Sequence, residues 1–378
     1  MKVIHVSNAK SWRGGEQQLA YLLGAFLSDT EIQSHVLCRR KGAIAKYCEQ
    51  KGIAYSTFDG RGSFNLSAAL KLLRICNKSG KCLIHTHDSH AHSIAFIAAT
   101  LFGNLSPVIV HRRVDFRAGA GFISRKKYNH RCIARYICVS NAIRDILLPS
   151  LSHPEKAIVI PSGIDPERFA QTKNSSELRS KFGISPCAPL IGNIAALAPH
   201  KDHFTFLRTA SILHQRNPEM RFVIVGHGAM RKQLLKAIEE MMLQNILFLA
   251  GFKENIPAII KEFDLFLMTS KTEGLGTTLL DAFAAGIPVV STNAGGIGEI
   301  VEHGHTGLLA PVGNAESLAR LVEEVMNNPD LKDRIIHQAK LRADENHFRI
   351  TAGKIKNEYL LVAKQAFCTD QTAAYGKE

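Results

Sequence analysis

The residues with the clearest chemistry lie in the segment TSKTEGLGTTLLDAFAAGIPVVST, residues 269–292. A strand is predicted to end at Glu273, a Gly-x-Gly turn follows, and a helix is predicted to begin near Thr277. The free amides and the positive dipole of a helix N-terminus suit a diphosphate. Asp281 lies about one turn into that helix, where a carboxylate can accept hydrogen bonds from ribose hydroxyls. Glu273 is placed to hold a sugar hydroxyl.

Three other predicted strand ends carry residues suited to an anion. Gly14 and Gly15 follow the first predicted strand and open its helix, which lets a ligand approach the backbone. Lys201, in APHKDH, lies where a strand hands over to its helix and suits a phosphate. Gly226, in VGHGAM, follows a further strand. A tight turn also needs glycine and most lysines are solvated, so none of these decides a function alone.

A histidine-rich segment, HTHDSHAH, occupies residues 85–92 at the end of the fourth predicted strand. The metallo-hydrolase pattern H-x-H-x-D-H is not met, because Asp88 comes one place early and Ser89 stands where the pattern needs aspartate. Three interpretations remain: a metal site, a metal-free polar site, or helix-start histidines (His90 and His92) without a ligand. We expect the metal-free polar site.

Positive charge is concentrated in the first half of the chain. The 378 residues carry 47 Lys and Arg against 33 Asp and Glu, a formal net charge of +14. Residues 1–170 hold 24 basic and 11 acidic side chains, a net of +13, and the rest hold 23 and 22. This asymmetry indicates a negatively charged partner for the first half: nucleic acid, an anionic membrane or an anionic substrate.

Composition excludes several classes of protein. Apolar residues make up 46% and charged residues 21%, which is typical of a folded globular protein. The longest nearly apolar stretch, 94–102, is too short to span a bilayer, and the N-terminus turns polar too early for a signal peptide. The eight cysteines form no C-x-x-C pair and are expected to be reduced, mostly buried thiols. These features predict a cytoplasmic protein.

Short apolar runs alternate with helix-length segments along most of the chain, which predicts α/β domains with parallel sheets. The alternation pauses in the polar segment 161–177 and restarts near residue 185. Helices are predicted, among other places, over Arg125–Ala134 and Thr277–Ala285. We therefore predict an α/β fold of two doubly wound, Rossmann-like domains facing across a cleft, with a C-terminal helical tail. Ligands of such sheets bind at the carboxyl ends of the strands.

Taken together, these residues make the chain resemble the GT-B glycosyltransferases, in particular glycosyltransferase family 4. That family carries a Glu-x7-Glu motif within a segment like EGLGTTLLDAFAAGIPVVSTNAGGIGEIV, residues 273–301 here. Other similar segments are CVSNAIRD, VIPSGID, ALAPHKD, GFKENIP and GHTGLLAPVGN, so the likeness spans almost the whole chain. It implies a retaining hexosyltransferase that uses a UDP- or GDP-sugar.

The resemblance also implies roles for individual residues. Glu273 matches the first acid of the motif and would contact the transferred sugar, and Asp281 matches the second and would bind ribose. Lys201 matches the phosphate-binding lysine, and the strand-end histidine beside the reacting carbon would be His87 or, one register away, His85. Further donor contacts would come from the glycine loop, from segments near the base, and from amides at the diphosphate: Gly14, Gly15, Gly226, Phe252, Gly276, Thr277 and Thr278.

The sequence departs from the family pattern at two positions. Asp281 replaces the usual Glu, so its contact with ribose would be shorter or bridged by water. Ala196 stands about where many members have an arginine, which leaves more of the leaving-group charge to Lys201. The chain contains no Asp-x-Asp, so we expect no metal and no cofactor beyond the nucleotide-sugar.

The resemblance assigns functions to three predicted regions. Residues 1–165 would form the basic acceptor domain, 166–347 the nucleotide-sugar domain, and 348–378 a helix that crosses back to the first domain. The basic, aromatic-containing stretch 111–136 would dock on an anionic membrane. The acceptor would be a lipid-linked or phosphorylated glycan, such as a glycolipid or a lipopolysaccharide or cell-envelope precursor. No nucleic-acid-binding motif accompanies the basic residues, so nucleic acid is not expected.

Other interpretations remain open at this point. The stretch 111–136 can simply be a solvated basic face. The histidines of 85–92 can belong to a metal-dependent hydrolase, and a GT-B-fold nucleotide-sugar epimerase would need no acceptor. A non-catalytic sugar- or lipid-binding relative is a further possibility. Elemental analysis and thermal shifts with UDP- and GDP-sugars discriminate among these classes.

Overall fold

The structure, a computed structural model, describes residues 1–60, 62, 64–117, 119 and 121–368. Residue 368 is described by its backbone alone. The chain divides into two compact units. The first comprises Met1–Gly163 and the C-terminal helix, and the second comprises Ile164–His347. The change from one unit to the other falls within the polar segment 161–177.

A parallel sheet forms the centre of the first unit, with seven strands in the described residues, in the order β3-β2-β1-β4-β5-β6-β7. Every residue of β4 and β5 is buried, as expected for strands covered on both faces. The strands are β1 (Lys2–Ser7), β2 (Gln33–Arg39), β3 (Tyr55–Phe58), β4 (Cys82–Thr86), β5 (Val108–Arg112), β6 (Ile133–Cys138) and β7 (Ala157–Val159).

Helices connect these strands, and polar side chains fix where several of them begin. The Asp88 carboxylate accepts the first amides of α4, Asn65 accepts the amide of Ala68 in α3, and Ser140 accepts that of Ile143 in α6. The helices are α1 (Gly14–Ala25), α2 (Ala43–Lys51), α3 (Leu66–Ser79), α4 (Ser89–Leu101), α5 (Phe122–Tyr128) and α6 (Asn141–Leu147).

The second unit has its own parallel sheet, in which six described strands follow the order β10-β9-β8-β11-β12-β13. The strands are β8 (Leu190–Ile194), β9 (Arg221–Val225), β10 (Leu247–Gly251), β11 (Leu265–Met268), β12 (Val289–Thr292) and β13 (Leu308–Ala310). The helices are α7 (Glu167–Ala170), α8 (Glu177–Phe182), α9 (His203–Arg216), α10 (Arg231–Glu240), α11 (Ile256–Ile260), α12 (Thr277–Ala285), α13 (Ala315–Asn327) and α14 (Pro329–Glu345).

The C-terminal helix α15 (Phe348–Cys368) completes the core of the first unit. Its buried residues Ile355, Tyr359 and Val362 pack in one cluster with Val3 of β1 and Leu83 of β4. Full burial of each such side chain stabilises the fold by roughly 1.5–3 kcal/mol. The first unit therefore depends on the end of the chain for its packing.

Both sheets reverse their strand order beside their first strand. In the first unit the reversal lies between β1 and β4, and in the second it lies between β8 and β11. At such a point the loops that leave the carboxyl ends of the two strands diverge and leave room for a ligand. The residues that follow β1, β4, β8 and β11 are therefore the candidates for a functional site.

One predicted helix is wrong. Arg125–Ala134 was expected to be helical throughout, but α5 covers Phe122–Tyr128 and β6 begins at Ile133. The Asn129 side chain donates hydrogen bonds to the carbonyls of Arg125 and Ser150, which satisfies the end of the helix and turns the chain. The buried, β-branched and aromatic residues that follow favour a strand.

The structure also bears on two expectations drawn from composition, namely reduced cysteines and the lack of an apolar stretch long enough to span a bilayer. Five of the seven cysteines whose side chains are described are buried and all seven are free thiols, which confirms that part of the expectation. Among the described helices none combines the length and the apolar character needed to cross a bilayer.

Candidate active site

The loops that follow β8 and β11 bring Lys201 against Glu273. Lys201 ends a short 3-10 turn, Pro199–Lys201, between β8 and α9. Its Nζ donates a hydrogen bond to Oε2 of Glu273, and the two side chains are only 16% and 14% exposed. The loops are tied together by the amide of Lys271, which donates to the carbonyl of His200 over 2.8 Å. A paired cation and acid thus stand at the strand ends where a ligand is expected.

Glu273 lies in a loop rather than at a strand end. The prediction that a strand runs to Glu273 is wrong, because β11 ends at Met268. The backbone of Glu273 is held from β12's side of the sheet, where the amide of Gly296 donates to the Glu273 carbonyl over 2.9 Å. The Ser270 hydroxyl also donates to the Glu273 carboxylate at 3.3 Å. The carboxylate is therefore fixed by its neighbours and not only by Lys201.

Gly295 lies directly against the backbone of Glu273, so a side chain at position 295 would disturb Glu273. Its φ is +55°, and a Cβ built there would lie 2.2 Å from the Glu273 carbonyl oxygen. We expect Gly295→Ala to displace Glu273 and to lower the free energy of unfolding by about 1–3 kcal/mol. Turnover should fall at least about tenfold, because small displacements of a catalytic group have effects of that size. Chemical denaturation and steady-state kinetics measure both effects.

The matched control for that substitution is Gly304→Ala. Gly304 also has a positive φ, +77°, but a Cβ there meets nothing within 4 Å. This variant carries the conformational cost without the collision, so it should keep normal turnover. Equal losses of turnover in the two variants would show that contact with Glu273 is not what Gly295 provides.

The helix α12 begins directly after this loop. Gly276 caps it with a φ of +81°, and the amides of Thr277 and Thr278 belong to its first turn, where no intrahelical acceptor exists. Asp281 lies one turn further on, as predicted from its spacing. Burial raises the pKa of Asp281 to about 7, and the charge of Arg168 opposes that rise. A carboxyl with this pKa changes its charge near neutral pH.

Gly226 and Phe252 lie together at the ends of β9 and β10. The amide of Gly226 donates to the carbonyl of Gly251 over 2.9 Å, and Phe252 is 58% exposed. A Cβ at Gly226 would lie 1.8 Å from the carbonyl oxygen of Ala195, so packing alone requires glycine there. The exposed phenyl ring, by contrast, has an open face on which a flat ring can stack.

In the first unit, His87 stands one residue beyond the end of β4. Its flanking histidine, His85, lies inside the strand and is completely buried, with Nδ1 2.5 Å from the hydroxyl of Tyr359 on α15. Of the two candidates for a strand-end histidine, His87 therefore occupies that place. Burial, followed by the charges of neighbouring groups, lowers the pKa of His87 well below its usual range, so its ring is neutral.

Hydrogen bonds fix the tautomer of the His87 ring. Arg113 has only donors, and its terminal nitrogens lie 3.4 and 3.5 Å from Nδ1 of His87, which therefore accepts. The proton sits on Nε2, which lies 3.0 Å from Nδ1 of His5. His5 Nε2 in turn lies 3.3 Å from the Ser34 hydroxyl. A sugar hydroxyl can donate to His87 Nδ1 by displacing the long contacts from Arg113.

The ring nitrogens of His5, His85 and His87 lie within 4.8 Å of one another, which is close enough to consider a metal. Two features oppose a divalent cation there: the guanidinium of Arg113 contacts His87, and His5 and His87 are bonded directly to each other. Asp88 offers no free carboxylate, since it accepts the amides of Asn8, His90 and Ala91. The arrangement suits a neutral polar site better than a metal centre.

Two family models match the chain. The model for Glycosyltransferase Family 4 matches residues 13–168, and the model for group 1 glycosyl transferases matches residues 174–342. Together the two matches cover most of both units, including Lys201, Glu273 and Asp281. The chain belongs to glycosyltransferase family 4. It is a glycosyltransferase that uses a nucleotide-sugar.

Individual relatives agree with this assignment. The chain is 26% identical over 349 residues to the Escherichia coli UDP-Gal:alpha-D-GlcNAc-diphosphoundecaprenol alpha-1,3-galactosyltransferase, which covers 87% of this chain and 88% of the relative. The amylovoran biosynthesis glycosyltransferase AmsK of Erwinia amylovora is 35% identical over 177 residues, 44% of this chain and 41% of AmsK. Anabaena HepE in complex with UDP and glucose matches with a TM-score of 0.82, over 95% of this chain and 99% of HepE at 22% identity. The expected GT-B fold is confirmed.

The glycine loop of this glycosyltransferase lies where the sequence predicts it. Gly14 and Gly15 are the first residues of α1, and the preceding residue, Arg13, makes no side-chain cap. A Cβ built at Gly15 would meet no described atom within 4 Å. Packing within the protein therefore does not require glycine at this position, which leaves room for a ligand to approach the backbone.

The glycosyltransferase uses two arginines differently from the sequence-based interpretation, which counted both in an exposed basic stretch. Arg112 is 3% exposed and donates to the hydroxyl of Tyr128 over 2.8 Å. Arg113 is buried enough that its pKa falls to about 10, with Glu16 and Asp88 opposing the fall. Arg112 is therefore buried inside the unit, and the half-buried guanidinium of Arg113 is directed to His87 and His111.

Sequence reasoning missed Arg113, His5 and Glu16 as members of the site. Arg113 directly follows β5, the neighbour of β4 in the sheet, and that position was the available signal. Glu16 is 9% exposed, and burial raises its pKa, while the charge of Arg113 lowers it. The glycosyltransferase thus places beside His87 a half-buried arginine whose charge is opposed by the nearby acids Glu16 and Asp88.

Proposed function

We propose that this glycosyltransferase transfers a hexose from a UDP-sugar, with retention at the anomeric carbon, to a lipid-linked or phosphorylated glycan. The observation that carries the proposal is the Lys201–Glu273 pair beside the first turn of α12. This grouping offers a cation and free amides to a diphosphate and an acid to a sugar. The UDP in the HepE complexes and the UDP-sugar in the name of the E. coli relative support the choice of base.

In this proposal the donor binds to the second unit. The diphosphate meets the amides of Gly276, Thr277 and Thr278, the ribose meets Asp281, and the base lies near Phe252. As the bond from the anomeric carbon to the phosphate oxygen breaks, negative charge builds on the diphosphate. Lys201 then leaves Glu273 and stabilises that charge. The carboxylate of Glu273 becomes free to accept a hydrogen bond from a hydroxyl of the sugar. Preformed donors of this kind require no metal, and metal independence stays part of the proposal.

The first unit supplies the acceptor side. A new bond forms between the oxygen of an acceptor hydroxyl and the anomeric carbon, on the face from which the diphosphate leaves, and the hydroxyl proton passes to the departing phosphate oxygen. Within the first unit, Nδ1 of the neutral His87 ring can accept a hydrogen bond from a sugar hydroxyl, and the loop of Gly14 and Gly15 leaves its backbone open to an anion. The relative from E. coli, whose printed name describes a diphosphoundecaprenol-linked acceptor, supports a lipid-linked acceptor here.

Two measurements test the proposal. The first is the melting temperature in the presence of a panel of UDP- and GDP-sugars. The second is the transfer of radiolabelled sugar from those donors to lipid extracts. UDP-sugars should raise the melting temperature and should label a lipid-soluble product with the α- or β-configuration of the donor. No stabilisation by any nucleotide-sugar, or inversion at the anomeric carbon, would contradict it.

Two alternatives receive less support. A metal-dependent hydrolase at 85–92 lacks a free carboxylate, because Asp88 caps α4, and Arg113 opposes a cation. A GT-B-fold nucleotide-sugar epimerase would convert the donor without any acceptor. Appearance of an isomerised nucleotide-sugar in the absence of acceptor would favour the epimerase.

Affinity for the donor should depend on pH through Asp281. The carboxyl is protonated below its pKa of about 7 and ionised above it. Ribose hydroxyls donate to the ionised form, so binding is favoured at high pH and weakens as pH falls. The dissociation constant for UDP-glucose, measured by calorimetry, should be about tenfold higher at pH 6 than at pH 8. Asp281→Asn should remove most of this dependence, and an unchanged profile would contradict the assignment.

Peripheral binding to an anionic membrane is the last part of the proposal. In α5, Phe122 and Ile123 are 72% and 65% exposed, and Lys126 lies 4.5 Å above the Phe122 ring. Arg125 and Arg131 are also exposed and line the same groove as Phe122. Apolar side chains beside cations are suited to the surface of an anionic bilayer.

Vesicle co-sedimentation tests this part. Phe122→Ser with Ile123→Ser should reduce binding to phosphatidylglycerol vesicles about thirtyfold, since each substitution loses roughly 1 kcal/mol of inserted apolar surface. Leu27→Ser with Leu66→Ser removes two exposed leucines outside α5 and should bind as the parent does. Equal binding of the parent protein to neutral and anionic vesicles would count against the surface.

A further inference from the structure

A cavity of about 720 Å³ in the first unit has four cationic side chains in its lining. Its walls come from the β1–α1 loop, the turn between β2 and α2, the helix α2 itself, and β3. The charged side chains that line it are Lys10, Arg40, Lys41, Lys46 and Glu49. The volume lies within the range of cavities that bind small molecules. Four cations against one carboxylate give the cavity an excess of positive charge.

Most of this charge is not neutralised by the protein. Arg40 pairs with Asp59 over 2.9 Å. In the part of the chain that the structure describes, Lys10, Lys41 and Lys46 make no ion pair with a carboxylate. Three like charges around one cavity repel each other, and an anion between them would relieve that repulsion.

Backbone contacts join the two loops that carry Lys10 and Lys41. The amide of Ala43, the first residue of α2, donates to the carbonyl of Lys10 over 3.2 Å, which ties the β1 loop to the β2 turn. A Cβ built at Gly42 would lie 2.9 Å from the carbonyl oxygens of Ala9 and Arg39, so glycine permits this close contact. Lys41 adopts a φ of +56°, an uncommon conformation for a residue with a side chain.

The cavity also lies at the functional edge of the sheet. Arg40 and Lys41 follow the carboxyl end of β2, and Lys10 belongs to the loop that follows β1 and leads to Gly14. Ligands of a parallel sheet bind at this edge. In the proposed function the donor diphosphate is held by Lys201 and α12 in the second unit, so the donor gives these lysines no role.

We propose that this cavity binds the phosphate or diphosphate group of the acceptor, an inference that rests on the proposed function. Lys10, Lys41 and Lys46 would hold the anion, and Glu49 would weaken its binding. The acceptor would then be selected for its negative charge as well as for its sugar. The chemistry is that of a phosphate ester or diphosphate, whether this is carried by a lipid-linked acceptor or by the headgroups of the surrounding membrane.

Calorimetric titration with inorganic pyrophosphate, in the presence of saturating UDP to occupy the donor site, tests the assignment. Lys10→Gln with Lys46→Gln should raise the dissociation constant on the order of tenfold. Lys51→Gln with Lys78→Gln removes the same charge from exposed positions outside the cavity and should leave it unchanged. Glu49→Gln should lower it about two- to fivefold, because it removes the one opposing charge.

The outcomes separate this inference from the proposed function. No pyrophosphate binding, or equal weakening in both lysine pairs, would overturn the cavity assignment, whereas the response of the melting temperature to UDP-sugars tests the donor site independently. Phosphatidylglycerol vesicles distinguish the two sources of phosphate. Equal vesicle binding by the parent and by Lys10→Gln with Lys46→Gln supports an acceptor site, and loss of vesicle binding in that variant would assign the cavity to bulk lipid instead.

Discussion

Replacement of Lys201 by Ala should lower the turnover number for sugar transfer on the order of 10²-fold or more, as removal of a preorganised electrostatic donor does. The lysine is held at the strand ends by its bond to Glu273 and is only 16% exposed. A cation in such a place needs little reorganisation when charge develops on the leaving diphosphate. If Ala196 stands where the family resemblance implies a second phosphate-binding arginine, the loss on replacing Lys201 is larger still.

The substitution should act on the donor as well as on the rate. Without Lys201 the enzyme should bind UDP more weakly, which calorimetry measures, and the carboxylate of Glu273 would lose its partner. Lys261→Ala is a suitable control, because Lys261 is a half-buried lysine of the same unit whose Nζ donates to the carbonyl of Thr172 over 2.6 Å. Turnover close to that of the parent in Lys201→Ala would remove the basis of the donor site.

Much of the fold was predictable because parallel strands leave a strong signal. Runs such as KVIHVS and CLIHT carry apolar residues on both faces of a strand, and they form β1 and β4. The start of α12 at Thr277 was found for a different reason: Gly-x-Gly before an apolar helical pattern marks a turn that requires a positive φ, here +81° at Gly276. Local chemistry of this kind is fully present in the sequence.

What escaped prediction depends on contacts between distant segments. Arg113 looks like any other member of a basic stretch, and only the position of β5 beside β4 places it against His87. The pairing of Lys201 with Glu273 joins residues 72 positions apart. Similarly, the contact of Gly295 with the Glu273 backbone exists only because β12 lies next to β11. Residue type supplied the candidates, and topology decided their partners.

Replacement of Glu273 by Gln should also reduce transfer on the order of 10²-fold, but with the opposite effect on the nucleotide. The amide is similar in size to the carboxylate, so the loop keeps its shape, while the sugar hydroxyl loses a charged acceptor. At the same time Lys201 loses the charge that neutralises it. Its full positive charge is then available to the diphosphate, so UDP should bind at least as tightly as it does to the parent enzyme.

This contrast separates the two halves of the ion pair. If Lys201 and Glu273 merely stabilised the fold together, both substitutions would change turnover and UDP affinity in the same direction. Glu323→Gln is the matched control, because Glu323 is 27% exposed and pairs with Arg216 over 2.8 Å in the same unit. It should leave both quantities unchanged. Weaker UDP binding by Glu273→Gln would refute the separate roles, since removal of a negative charge beside a bound diphosphate cannot weaken it unless the site itself has collapsed.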